Sequence, residues 1–119
     1  MTAGTNTQVV RYVPHTQILP SASLVITHAG AGTTMAALGR GVPLLCTPIG
    51  RDQFYNAERV ETLGAGRMLM PDASSNAIAQ AAMNILREDR YTATAKRMAA
   101  AITGCGGAAQ AATALEALV

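Results

Sequence analysis

The chain has 119 residues, the size of one small domain. Half of its residues are hydrophobic and only 13% are charged, and its formal net charge of +2 is too small to indicate a nucleic-acid-binding surface. No run of about 20 apolar residues is present. The first residues, Met1 to Gln8, are polar, and two cysteines are too few for a disulfide framework. We therefore expect a cytoplasmic domain without a membrane span.

Short apolar runs alternate with segments of helical periodicity along the chain. The predicted strands are Val9–Val13, Leu24–Thr27, Pro43–Thr47 and Arg67–Met70. The predicted helices run from Gly32 or Thr33 to Gly39–Gly41, and over Gln53–Leu63, Ser74–Leu86, Asp89–Ile102 and Ala108–Leu118, with a break at Thr103–Gly107. This alternation predicts an α/β fold with a Rossmann-like parallel sheet and flanking helices.

The segment His28 to Thr34 lies between a predicted strand and a predicted helix and contains two glycines. A turn of this kind directs free backbone N–H groups and the positive end of a helix at one point, which favours an anion. Two hydroxyls and an imidazole lie beside it. We predict a phosphate or diphosphate site at His28, Gly30, Gly32, Thr33 and Thr34.

The next predicted strand is followed by Asp52 and Gln53. In open parallel sheets, ligands bind beyond the carboxyl ends of the strands, so this pair is expected near the predicted anion site. A carboxylate and an amide together accept and donate several hydrogen bonds, as sugar hydroxyls require.

These segments together resemble the donor-binding signature of nucleotide-sugar glycosyltransferases with the GT-B fold, which glycosylate small acceptors. The residues that carry the resemblance are Tyr12-Val13-Pro14-His15, Thr27 to Thr34, Gly41-Val42-Pro43, Pro48 and Asp52-Gln53. The resemblance implies an inverting, metal-independent transfer of a hexose from a UDP- or dTDP-sugar, with no further cofactor, to a small hydroxylated acceptor. It also implies that residues 1–119 are a single, partial donor-binding half, without the acceptor-binding half and its general base.

The resemblance further implies roles for individual residues. His28 would contact a donor phosphate and stabilise the leaving group, while Gly30, Gly32, Thr33 and Thr34 would bind the diphosphate. The sugar would be held by Asp52 and Gln53, and the nucleobase by Tyr12 and Val13. Ala36 stands where many relatives have a ribose-binding Glu, so the ribose contact is left open.

Other interpretations of the same residues remain. His28 also suits a structural turn, Thr33 and Thr34 suit helix N-caps, Asp52 suits a first-turn acid, and Tyr12 suits packing on a strand. A dinucleotide-binding oxidoreductase would need an acid at the end of the next strand, which ends in Cys46-Thr47-Pro48 instead. A non-catalytic nucleotide-sugar-binding module that needs a partner chain is the alternative function.

The resemblance implies a sheet order of 3-2-1-4-5-6, in which the predicted strands are the third to the sixth. Leu24–Thr27 would then have an unpaired apolar edge, a template for another strand. We therefore expect a homo-oligomer or a partner chain, formed by sheet pairing or by exchange of Val9–Val13, or else repacking of Val9–Val13 beside Leu24–Thr27. Two His and two Cys far apart in sequence predict no metal site.

Overall fold

The computed structural model describes residues 4–104, which form a three-stranded parallel sheet with flanking helices. The strands are β1 (Val25–Thr27), β2 (Leu44–Cys46) and β3 (Gly66–Met68), hydrogen-bonded in the order β1-β2-β3. The helices are α1 (His15–Ile18), α2 (Ala31–Gly39), α3 (Gln53–Leu63), α4 (Ser75–Arg87) and α5 (Asp89–Gly104), with a 3-10 turn at Leu19–Ser21 after α1. The predicted α/β class and parallel sheet are confirmed.

The middle strand forms the centre of the core. Leu44, Leu45 and Cys46 are all fully buried. Leu44 and Cys46 belong to a cluster with residues of α2, α3 and α5, whereas Leu45 belongs to a second cluster with Ala81 and Ile85 of α4. Both faces of β2 are therefore covered, and this explains why its sequence is continuously apolar rather than alternating.

Two glycines set the path from α3 into β3. Gly64 has φ +84° and ends α3, and the N–H groups of Gly64 and Ala65 donate to carbonyls of the last helical turn. At Gly66, a β-carbon would collide with the carbonyl oxygen of Leu44. The close approach of β3 to β2 therefore depends on the absence of a side chain at Gly66.

The predicted helices occur close to their expected bounds. The prediction for α3 is confirmed, and α4 begins at Ser75 because the Ser74 hydroxyl accepts a hydrogen bond from the Ala77 N–H at 3.1 Å and caps the helix. Helix α5 continues through Thr103 and Gly104, the first two residues of the predicted break. The rest of that break and the predicted helix Ala108–Leu118 lie outside the described residues.

The predicted strand Val9–Val13 is wrong. This segment is irregular and pairs with no strand of the described sheet, and the side chain of Val9 is 62% exposed. The expected repacking beside β1 is not seen either. A β-branched run becomes a strand only where a neighbour takes its backbone hydrogen bonds, and no residue between 4 and 104 does so for this segment. Within residues 4–104, no helix is long and apolar enough to cross a membrane.

Candidate functional site

The carboxyl ends of β1 and β2 are tied together by hydrogen bonds. The N–H of Thr47 donates to the carbonyl oxygen of Thr27 at 2.8 Å, and the Thr47 hydroxyl approaches the same oxygen at 3.4 Å. In return, Nδ1 of His28 donates to the carbonyl oxygen of Thr47 at 3.1 Å. The loops that follow the two strands are thereby held side by side, at the edge of a parallel sheet where ligands bind.

The contact to Thr47 determines how His28 can act. Because a carbonyl oxygen only accepts, the Nδ1 atom of His28 carries a proton, and Nε2 of the exposed ring is left for a ligand. In the neutral ring Nε2 is an acceptor, and only the imidazolium makes it a donor. An anion bound at His28 therefore selects the protonated ring.

Helix α2 begins without any side-chain cap and has no acid in its first turn. The first helical hydrogen bond runs from the Thr34 N–H to the Gly30 carbonyl at 3.0 Å. Among residues 4–104, no acceptor faces the N–H groups of Gly30, Ala31, Gly32 or Thr33. The end of α2 therefore presents a group of free donors together with the positive end of the helix dipole.

The space over these donors is open. A β-carbon built on Gly30 or Gly32 would meet nothing within 4 Å. Alanine at a helical position is favoured over glycine by about 1 kcal/mol, so the fold itself gives no reason for Gly32. Glycine at this position leaves the free N–H groups accessible to a ligand.

The two threonines that follow differ in accessibility. Thr33 is half-buried, whereas Thr34 is only 6% exposed and its Oγ1 has no hydrogen-bond partner in the described residues. Thr34 lies on the core side of α2 with Ala37 and Leu38, which are both buried. A diphosphate contact from Thr34 stays a prediction, and in this structure its hydroxyl does not reach solvent.

Ala29 lies in the turn between β1 and α2. It is fully buried and has a left-handed backbone, φ +69°, which is unusual for a residue with a β-carbon. Its N–H donates to Oγ1 of Thr27 at 3.3 Å, and its carbonyl accepts from Nδ2 of Asn56 at 2.9 Å. Asn56 is not among the predicted site residues, although its spacing of three residues from Gln53 places both on one face of α3.

The loop after β2 uses its polar groups differently. The Oε1 atom of Gln53 accepts from the N–H groups of Ile49 at 2.9 Å and Gly50 at 3.2 Å. The amide nitrogen of Gln53 remains as a donor, and the exposed carboxylate of Asp52 is an acceptor. Together the two side chains offer both kinds of group that a hydroxyl needs.

The predicted base-binding residues are not tied to this site. Tyr12 is 83% exposed and Val13 is half-buried, and neither hydrogen-bonds to another residue in the described part of the chain. Their role stays a prediction. Ala36 is half-buried on α2 and offers no polar side chain for a ribose.

Cys46 is the last residue of β2. Burial, together with the negative charge of Glu61, raises the pKa of the Cys46 thiol to about 11. The thiol of Cys46 is free and buried. At neutral pH the thiol is protonated and is a packing group rather than a nucleophile.

The class of protein follows from this geometry and from its relatives. Residues 2–118 match the family model described as erythromycin biosynthesis protein CIII-like, C-terminal domain. The NDP-glycosyltransferase YjiC of Bacillus licheniformis is 36% identical over 115 residues, covering 96% of this chain and 29% of that protein. The oleandomycin glycosyltransferase of Streptomyces antibioticus is 32% identical, covering 94% of this chain and 26% of that protein.

Solved structures give the same result. The spinosyn forosaminyltransferase SpnP superposes with a TM-score of 0.86 at 28% identity, over 99% of this chain and 32% of that one. The chain therefore belongs to the EryCIII-like C-terminal domain family, found in glycosyltransferases of the GT-B fold. It spans between a quarter and a third of the length of these relatives.

Proposed function

We propose that this chain is the donor-binding part of a glycosyltransferase, which moves a hexose from a UDP- or dTDP-sugar to a hydroxyl of a small acceptor, with inversion and without a metal ion. The observation that carries the proposal is the group of free N–H donors from Gly30 to Thr33 at the end of α2, next to the exposed ring of His28. Such a group suits a diphosphate.

The chemistry requires stabilisation of a leaving group. The acceptor oxygen attacks the anomeric carbon, the bond from that carbon to the diphosphate oxygen breaks, and its electron pair passes to the diphosphate. The growing negative charge is stabilised by the N–H groups of α2 and by His28, which are in place before the reaction. The acceptor proton passes to a base outside residues 1–119.

The sugar lies against the neighbouring loop in this proposal. The Asp52 carboxylate accepts from sugar hydroxyls and the Gln53 amide nitrogen donates to them, since the Gln53 oxygen is already occupied by Ile49 and Gly50. The relatives' names support a nucleotide-sugar donor: one is an NDP-glycosyltransferase, and the glycosyltransferase VinC was solved in complex with dTDP. A cytoplasmic location stays a prediction.

Calorimetry with UDP, dTDP and uridine tests the proposal. Both diphosphates should bind, and uridine should bind at least about tenfold more weakly, because the diphosphate meets the free N–H groups. Equal binding of all three, or binding of none, would contradict the donor-binding role.

Activity provides a separate measurement. The isolated chain should transfer no sugar to an added acceptor, since the acceptor pocket and the base belong to another part of the enzyme. Robust turnover by this polypeptide alone would show that assignment to be wrong. Binding that never leads to transfer, even with an acceptor-binding partner chain, would favour a non-catalytic nucleotide-sugar-binding module.

A further inference from the structure

We propose that Asn56 is a positioning residue of the diphosphate site, which holds the left-handed turn at Ala29 and so fixes His28 relative to the free N–H groups of α2. The inference rests on the proposed function, because it concerns how that same site is kept ready for its ligand. Asn56 itself has no contact with the ligand in this proposal.

The turn at Ala29 is held from two sides. The hydroxyl of Thr27 accepts from the Ala29 N–H at 3.3 Å, and Nδ2 of Asn56 donates to the Ala29 carbonyl at 2.9 Å. The first contact comes from the adjacent strand, within two residues. The second comes from α3, 27 residues away, and is therefore the contact that connects the turn to the rest of the fold.

Ala29 would not keep this conformation unaided. A β-carbon disfavours the left-handed region, and the φ of Ala29 is +69°. Rotation of Ala29 to a negative φ would change the orientation of His28 and β1 relative to Gly30 and α2. The bond from Asn56 opposes this rotation, so it preserves the juxtaposition of the imidazole and the end of the helix.

The same bond orients the next peptide group. The C=O and N–H of a trans peptide point in opposite directions, so fixing the Ala29 carbonyl against Asn56 directs the Gly30 N–H away from α3. This agrees with the absence of an acceptor for the Gly30 N–H among residues 4–104. Asn56 thus keeps one of the free donors available.

Helix α3 organises both loops through neighbouring residues of one face. Gln53 accepts from the backbone of the loop after β2, and Asn56, one turn later, donates to the backbone of the turn after β1. The same helix, α3, therefore holds the loop with the predicted sugar contacts and the turn with the predicted diphosphate contacts.

The test compares Asn56→Ala with Asn84→Ala, which removes the same side chain from an exposed position on α4. The dissociation constant for UDP, measured by calorimetry, should rise by roughly fivefold to tenfold in Asn56→Ala, as expected for the loss of one hydrogen bond, and should not change in Asn84→Ala. Equal constants for Asn56→Ala and the unmodified chain would overturn the inference.

A measurement on the ligand-free protein distinguishes a positioning role of Asn56 from a general packing role. In nuclear magnetic resonance spectra of the free protein, Asn56→Ala should change the HN–Hα coupling of Ala29, which reports its φ, and the amide shift of Gly30. If both stay as in the unmodified chain while folding is intact, Asn56 does not hold the turn. If UDP fails to bind the unmodified chain, the proposed function fails, whereas these spectra still decide whether Asn56 holds the turn.

A second variant covers the case in which Asn56→Ala does not fold. Asn56→Asp has the same shape, but its carboxylate accepts and does not donate to the Ala29 carbonyl. The Ala29 coupling and the Gly30 shift should change in this variant as well. Unchanged values would mean that the shape of the side chain, and not its donor, maintains the turn, which would overturn the inference.

Discussion

The loops after β1 and after β2 lie side by side, yet they present different polar groups. The turn from Gly30 to Thr33 leaves its backbone N–H groups free, whereas those of Ile49 and Gly50 are taken by Gln53. The cause is local: Gln53 in the first turn of α3 reaches back to its own loop, and Ala31 and Gly32 have no polar side chain to do so. The first loop is thus suited to an anion and the second, through its side chains, to neutral hydroxyls.

The largest effect on the difference between the two loops is expected from Gly32→Asp, which places a negative charge among the free N–H groups of the first loop. An acid in the first turn favours the helix, so the free energy of unfolding should rise by about 0.5–1 kcal/mol. Affinity for UDP should fall roughly 100-fold or more, because two unit charges about 4 Å apart repel by about 4 kcal/mol near a protein surface. Calorimetry and chemical denaturation measure the two effects.

Two matched variants complete this test. Gly39→Ala, at the other end of α2 where a β-carbon also meets open space, should stabilise the helix without changing UDP affinity. Gly50→Asp adds the same charge to the second loop and should weaken UDP binding far less than Gly32→Asp. Equal losses from the two aspartates would show that the loops do not differ as described.

The stability of the chain at alkaline pH tests the burial of Cys46 in β2, the strand that precedes the second loop. The pKa of the Cys46 thiol is raised from 9.0 to about 11 in the folded chain. A raised thiol pKa means that the folded state holds the proton more tightly than the unfolded state. The stabilisation is therefore complete below pH 9 and is lost as pH rises towards about 11, by about 2–3 kcal/mol.

Cys46→Ala provides the control for that measurement, since other groups titrate in the same range. Between pH 8 and about 11, the free energy of unfolding should fall more steeply for the unmodified chain than for Cys46→Ala. Parallel curves would mean that the thiol is not protected by burial.

His28→Ala tests the imidazole of the first loop. The variant should weaken UDP binding by about 1–3 kcal/mol through the loss of a charge-assisted hydrogen bond. Nδ1 is already used by Thr47, so the contact that the variant removes from the ligand is the one at Nε2. Calorimetry with UDP measures the difference, and equal affinity of the variant and the unmodified chain would assign His28 a structural role.

The smallest changes in stability are expected from glycine substitutions at the two non-glycine residues with a left-handed backbone, Ala29 and Arg51. Arg51 (φ +57°) is exposed, so Arg51→Gly should relieve strain and stabilise the fold by up to about 1 kcal/mol. Ala29→Gly relieves similar strain but removes a fully buried methyl group worth about 0.8 kcal/mol, so its net effect should be near zero or destabilising. Thermal denaturation compares the two, and a more stable Ala29→Gly variant would show that its methyl group contributes little.

The sequence was sufficient where local pattern and tertiary packing agree. The apolar run of β2 and the periodicity of α3 with Gly64 behind it predict the elements that the structure contains. The glycines of the β1–α2 turn also predicted free donors at the start of α2. In each case a signal within a few residues is decisive, because caps and turns act over that range.

Contacts over longer range were not predictable. Val9–Val13 has strand composition but pairs with no strand in the described part of the chain. Asn56 contacts a backbone carbonyl, which leaves no pairing signal in the sequence. Nothing in alanine indicates the left-handed backbone at Ala29. The burial of Thr34 depends on its sharing a helix face with Leu38, which only the packed structure defines.

The two outer edges of the sheet are finished in different ways. At β3, a carboxylate oxygen of Glu61 accepts from the Met68 N–H at 2.8 Å and occupies a donor on that side. At β1, Val25 and Thr27 bond towards β2, so the backbone of Ile26 faces outward, and its side chain is 53% exposed. The sheet thus has a direction of growth: a further strand can be added beside Ile26, while Glu61 opposes extension beyond β3.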